Sequence, residues 1–178
     1  MTVSNYTGSV HTLAIVQKWN AYGEPYAEVY EEHGMVKVTK TARAAVEDFL
    51  AFTGQTLRGA KEGAEALLGK KTYCTPIVVN EVHGMYMLFT GPVNKADTAY
   101  FMLNAVKRSK PAPDGGAYVT LINDVVIHVN IDDKLFKKRK AEAAYLQFKR
   151  EQHTTLMLRY YQYCAEHHAR YGDVLEDK

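Results

Sequence analysis

The chain is poor in the residues that mark several common functions. Of its 178 residues only two are cysteine, Cys74 and Cys164, too few for a disulfide framework. Cys74 has no Cys-x-x-Cys partner and reads as a small buried apolar residue. The seven histidines do not fall into two close pairs, so the four-ligand pattern of structural zinc is not expected, nor is any cofactor. His167 and His168 are adjacent, and on a helix they point about 100° apart. No apolar run approaches the roughly 20 residues of a membrane helix. Met1 to Val10 lacks the basic-then-apolar order of a signal peptide. No membrane association is expected, and the expected compartment is the cytoplasm. Gly54, Gly59, Gly63 and Gly69 are not followed by Gly-Lys-Ser/Thr, and there is no nucleophile elbow, so no enzyme activity is expected.

Charge of one sign is scarce in total but not locally. The 22 Lys and Arg against 20 Asp and Glu leave a net charge of +2. Arg58, Lys61, Lys70 and Lys71 outnumber Glu62 and Glu65. Lys107, Arg108 and Lys110 form a second basic stretch. Lys134, Lys137, Lys138, Arg139, Lys140, Lys149 and Arg150 stand against Glu142 alone. Both ends of the chain are mildly acidic. Such segregation is an electrostatic footprint for phosphates, and a solvated helix face is the alternative reading.

The composition, 47% hydrophobic and 24% charged, suits a folded domain. Three hairpins are expected from apolar or β-branched runs across short turns. They pair Tyr26–Tyr30 with Met35–Thr39, Ile77–Asn80 with Tyr86–Phe89, and Tyr118–Ile122 with Val125–Val129. His11–Val16 and Tyr100–Leu103 are further strand candidates. Ser109–Gly116 carries two prolines and two glycines and reads as a loop. Thr41–Phe52 has Ala42, Ala45, Val46, Phe49 and Leu50 at helical spacing. Leu57–Leu68 is a second helix ending at Gly69, although Gly59 and Gly63 each cost it about 1 kcal/mol relative to Ala.

A long C-terminal helix follows, capped by Asp132 or Asp133. Its apolar stripe is read as Ala141, Tyr145, Phe148, Leu156, Tyr160 and Tyr163, out to about residue 168. Tyr160, Tyr161 and Tyr163 are read as core or oligomer contacts. Lys134, Lys137 and Lys138 oppose the helix dipole in its first turns, and with exposed N-terminal amides they suggest a phosphate site. The fold class is α+β: antiparallel hairpins, two short central helices and a long C-terminal helix. Residues 1–131 form the expected core and 132–178 the helical region, together one continuous domain.

The segment Gly54-Gln55-Thr56-Leu57-Arg58-Gly59-Ala60-Lys61-Glu62-Gly63 resembles the glycine-spaced block of the bacterial competence transcription factor family, ComK. Leu67 to Val79 is similar to that family's next block, a helix end followed by a Pro-Ile strand. Met87-Leu88-Phe89, Asn123-Asp124, Ile131 and Phe136 continue the resemblance in order, from about residue 25 to 165. The family usually has Arg where Ala60 stands, Pro where Thr90 stands, and a Cys near a Trp-Ile pair where this chain has Ala99-Tyr100-Phe101-Met102.

The resemblance implies a transcriptional activator of natural-transformation genes. It implies binding to A/T-rich promoter boxes on double-stranded DNA through the minor groove, as a homo-oligomer of paired dimers. It also implies turnover by an adaptor-delivered ATP-dependent protease. On this reading Arg58, Lys61, Lys70 and Lys71 face the groove, and Lys137, Lys138, Arg139 and Lys140 contact phosphates. Lys107, Arg108 and Lys110 are outside candidates. The alternative is a divergent regulator acting as a protein-interaction module with weak, non-specific DNA binding.

Overall fold

The structure is a computed structural model describing residues 1–92 and 95–172, with side chains through His167. The His168 side chain and residues 173–178, which belong to the expected helical region, lie outside what is described. The element order is β1 (Thr2–Val3), β2 (Thr12–Trp19), β3 (Pro25–Glu31), β4 (Gly34–Val38), α1 (Ala42–Phe52), α2 (Leu57–Leu68), β5 (Ile77–Asn80) and β6 (Met85–Phe89). After these come β7 (Tyr100–Met102), a 3-10 turn, β8 (Val106–Pro111), β9 (Ala117–Leu121), β10 (Val126–Val129) and α3 (Asp133–Gly172).

A seven-stranded sheet runs β1-β4-β3-β2-β7-β6-β5, and a three-stranded sheet runs β10-β9-β8. β1 joins β4 in parallel, and the remaining neighbours are antiparallel. All three expected hairpins form, as β3–β4, β5–β6 and β9–β10. The α+β expectation holds.

The large sheet is covered on both faces. Tyr100 and Phe101 are consecutive on β7, so their side chains leave opposite faces. Tyr100 meets Phe89 edge-on at 5.2 Å. Burial pushes its hydroxyl pKa well up, and the charges bearing on it are Arg43 and Glu47 of α1. Phe101 meets Phe136 of α3 edge-on at 5.5 Å. Helix α1 therefore covers one face, and α3 crosses the other.

Helix α1 buries Ala42, Ala45, Val46, Phe49 and Leu50, the five positions its spacing points to. The Thr41 hydroxyl caps it by accepting from the Ala44 N–H, and Gln17 of β2 accepts from the Ala42 N–H at 2.8 Å. Phe49 packs closely on the N-terminal segment. A Cβ at Gly8, where φ is +74°, would lie 2.0 Å from the Phe49 ring. Only glycine fits there.

Two expectations are corrected. Ser109, Lys110 and Pro111 are strand, not loop, and pair with Val119, Tyr118 and Ala117. β8 is an edge strand, where a proline breaks no central ladder. The turn is confined to residues 112–116. On α3 the apolar stripe is in the wrong phase. Among the described residues its buried apolar side chains are Phe136, Ala143 and Leu146. Ala141, Tyr145, Phe148, Leu156, Tyr160 and Tyr163 are exposed. The inward face mixes these apolar residues with Arg139, Lys140, Arg150 and Thr154. Counting apolar residues alone selects the outward face instead.

Helix phase is measurable. Phe136→Ala is expected to destabilise the protein by about 3–5 kcal/mol in equilibrium urea unfolding. Tyr145→Ala on the same helix should stay within about 0.5 kcal/mol.

Candidate nucleic-acid interface

Helix α2 begins on Thr56, whose hydroxyl accepts the Gly59 N–H at 3.0 Å. It stops at Gly69, where φ is +66° in the left-handed region. The α1–α2 link is tied to the sheet through Gln55, which donates to the Val79 carbonyl at 3.1 Å. Leu57 and Ala64 are buried, so the opposite side of α2 faces out.

That outer side carries Arg58, Gly59, Glu62, Gly63 and Ala66, all exposed. A Cβ at Gly63 would meet nothing within 4 Å. At Gly59 it would meet only the Thr56 hydroxyl, at 3.1 Å. Close packing of helix on sheet is therefore not what these glycines permit. They leave a strip of α2 backbone bare to solvent.

Two cations beside this strip, Arg58 and Lys71, bear on one carboxylate, Glu62. Arg58 Nε donates to Glu62 Oε1 at 2.8 Å. The Arg58 guanidinium holds the Glu62 carboxyl below its ordinary pKa, and Lys71 adds to the effect. Lys61 is half-buried and lines, with Arg58, an open groove of about 1040 Å³ between α1 and α2. Arg43 of α1 and Lys95 line the same groove, along with Glu47 and Glu65. Neither Arg43 nor Lys95 lies in one of the three basic segments read from the sequence. Only the packing of α1 beside α2 brings them to this groove. Lys70 reaches across to Glu142 of α3 at 3.2 Å.

The quartet at the start of α3 divides. Four consecutive helical residues point about 100° apart, so they cannot share one face. Arg139 Nη1 donates to the Phe89 carbonyl at 2.8 Å, and Lys140 Nζ to the Val106 carbonyl at 2.8 Å. These two side chains fasten α3 to β6 and β8. Lys137 pairs with Asp133 at 2.6 Å. Lys138 is exposed and makes no ion pair among the described residues.

The expected phosphate site at the α3 N-terminus is already occupied by the protein's own carboxylates. Asp132 Oδ1 accepts the Leu135 N–H at 2.9 Å. Asp133 accepts from Lys137 and, at 2.5 Å, from Ser109 of β8. Lys137, and then Ser109, hold the Asp133 carboxyl below its ordinary pKa. The helix dipole is thus offset by acids in the first turn, and the lysines beyond them are tolerated.

The Ser109–Asp133 bond also joins the second and third basic segments. On β8, Lys107 pairs with Asp124 at 2.6 Å, and Lys110 lies 5.8 Å from the Tyr118 ring centre. Arg108 is exposed and makes no ion pair among the described residues. Beyond the docked turns, Arg150 and Thr154 both hold Glu81. Leu156, Met157, Leu158, Tyr160, Tyr161 and Tyr163 are then all exposed, so these tyrosines are not core. Among the described residues no helix is long and apolar enough to cross a membrane.

The two roles on α3 separate by stability. Arg139→Met removes a charged donor from the Phe89 carbonyl and is expected to cost about 1–3 kcal/mol. Lys138→Met should change urea unfolding by less than about 0.5 kcal/mol.

A family model described as ComK protein matches residues 3–155 of the chain. No curated protein and no solved structure matches it.

Proposed function

The chain belongs to the ComK family, a family of competence transcription factors, and on that premise we propose that it activates natural-transformation genes by binding A/T-rich promoter DNA through the minor groove. The observation that carries this reading is the outer side of α2. There Arg58, Lys61 and Lys71 border a helix face left bare by Gly59 and Gly63. Each glycine costs the helix about 1 kcal/mol relative to Ala; at Gly59 a Cβ would crowd the Thr56 capping hydroxyl at 3.1 Å, whereas at Gly63 the fold offers no packing reason. Close approach by a large polyanion supplies one.

A/T tracts suit such a surface. Their narrow minor groove has a deep negative potential that attracts Arg and Lys. The groove's hydrogen-bond code separates A·T from G·C only, so placed cations on a rigid scaffold matter more than a recognition helix. In this reading Arg58, Lys61, Lys70 and Lys71 face the groove. Lys137 and Lys138, with Arg108 and Lys110, contact flanking phosphates. Arg139 and Lys140 act by positioning α3. The Arg58–Glu62 pair is exposed on both sides, and exposed ion pairs are worth about 1 kcal/mol or less, so Arg58 exchanges its partner for phosphate at little cost. The protein acts in the cytoplasm and is removed by an adaptor-delivered ATP-dependent protease.

The same reading has the protein act as a homo-oligomer of paired dimers. The supporting observation is the exposed run from Leu156 to Tyr163 on α3. Leucine, methionine and tyrosine at high exposure on one helix are unusual for a monomer surface. A second copy of this helix is the proposed cover.

Fluorescence anisotropy with A/T-box and G/C duplexes at two salt concentrations tests the DNA reading. Binding should weaken steeply with salt and favour the A/T duplex. Arg58→Ala should erode that preference. Lys137→Glu with Lys138→Glu should lower affinity for both duplexes alike and reduce the salt slope by about 1 per lost contact. Binding that ignores salt, or that treats the two duplexes equally, would favour the interaction-module reading. Sedimentation tests the assembly: Leu156→Glu with Tyr160→Glu should shift the protein to monomer while leaving its circular dichroism unchanged.

A further inference from the structure

Two histidines and a carboxylate converge at one end of the seven-stranded sheet. His11 lies immediately before β2, and Glu32 and His33 form the turn between β3 and β4. They are brought together by the antiparallel pairing of β2 with β3. The Glu32 N–H donates to the His11 carbonyl at 3.0 Å, which fixes the two backbones side by side. The His11 N–H is held in turn by the Ser9 hydroxyl at 2.9 Å.

His11 Nδ1 lies 2.9 Å from Glu32 Oε2, and His33 Nε2 lies 3.9 Å from the same oxygen. The imidazole centres are 5.9 Å apart and tilted by 43°. The three donor atoms all fall within 4.8 Å of one another. Donors bound at zinc's usual 2.0–2.1 Å around a tetrahedron sit roughly 3.3 Å apart. The cluster is therefore close to ligand geometry. The His33 side chain is 86% exposed, so its ring has room to rotate the remaining distance without backbone movement.

The chemistry of the set is selective. Two imidazoles and one carboxylate suit zinc, copper or nickel, whereas magnesium and calcium prefer all-oxygen shells. Among the described residues, the ion-pair partners of Glu32 are these two imidazoles, with no lysine or arginine occupying its oxygen.

We propose that His11 Nδ1, His33 Nε2 and Glu32 Oε2 form a binding site for a divalent transition-metal ion of the zinc class, with water completing its shell. Ligation requires an unprotonated His11 Nδ1, so a neutral ring carries its proton on Nε2 and the ion replaces the His11–Glu32 hydrogen bond. Binding links the start of β2 to the β3–β4 turn and stabilises that corner of the sheet by mass action. None of its residues belongs to the proposed DNA-binding set, although the turn beside it, through Asn123 and Asp124, also holds Lys107.

Cobalt is the optical probe for such a site. The full chain is titrated with Co²⁺ at about pH 7.5, where imidazole ligands compete well against protons, and the visible absorption is recorded. Zn²⁺ is then added as competitor. The wild type should develop a Co²⁺ band that Zn²⁺ removes, and Zn²⁺ should raise its urea midpoint. His11→Ala, His33→Ala and Glu32→Gln should each weaken Co²⁺ binding by about tenfold or more. His83→Ala with His153→Ala should leave it unchanged. All the substituted histidines are exposed, and circular dichroism confirms that each variant is folded. No band below roughly millimolar Co²⁺, or site variants that bind as tightly as the wild type, would overturn the assignment.

Discussion

The docking of the first turns of α3 onto the sheets holds the rest of the molecule in register. Phe136 places its ring against Phe101 in the centre of the large sheet. Three residues on, Arg139 donates to the carbonyl that ends β6, and Lys140 donates to the one that begins β8. One helix face thus combines apolar burial with two charged hydrogen bonds to backbone. Such bonds are worth more than neutral ones because the donor is ionised. Since β6 belongs to the seven-stranded sheet and β8 to the three-stranded one, this face is also the seam between the sheets.

The same helix collects the basic charge. Asp133 binds Ser109 and so draws β8 to its first turn, and Glu142 binds Lys70 at the end of α2. Segments separated by tens of residues are thereby attached to one rod. The near-zero net charge and the local basic stretches are consistent with each other. Glu62, Asp124, Asp133 and Glu142 each sit beside a cation, so the basic surface is held in place by pairing with the protein's own acids. A uniformly positive surface would repel itself and bind any polyanion. A paired one is ordered before its ligand arrives.

Much of the local structure was legible in the chain. The hairpins were marked by short polar turns between β-branched runs. Helix α1 was legible because all five of its buried residues are apolar and correctly spaced. Helix α2 showed its stop at Gly69. Pro111 misled, because a proline near two glycines suggests a loop unless the strand is known to be an edge. The phase of α3 misled for a different reason. Its inward face uses the long stems of Arg139 and Lys140 as filler, with their charged ends on carbonyls, while its outward face carries tyrosines and leucines. Of the proposed interface residues, the cations of α2 were visible as a charge excess. Arg43 and Lys95, which line the groove beside them, were not, since they reach it only through the packing of α1 beside α2.

Sequence alone determined most of the elements, the α+β class and the family, because these depend on short-range spacing and on residue order; the edge strands β1 and β8 were outside its reach. Only the tertiary structure decided which cations are fasteners and which are exposed, what surrounds Gly59 and Gly63, and that His11 meets Glu32 and His33. The reason is geometric. Direction around a helix is set by what the helix packs against, and neighbours across a sheet are set by strand register, which brings together residues far apart in the chain.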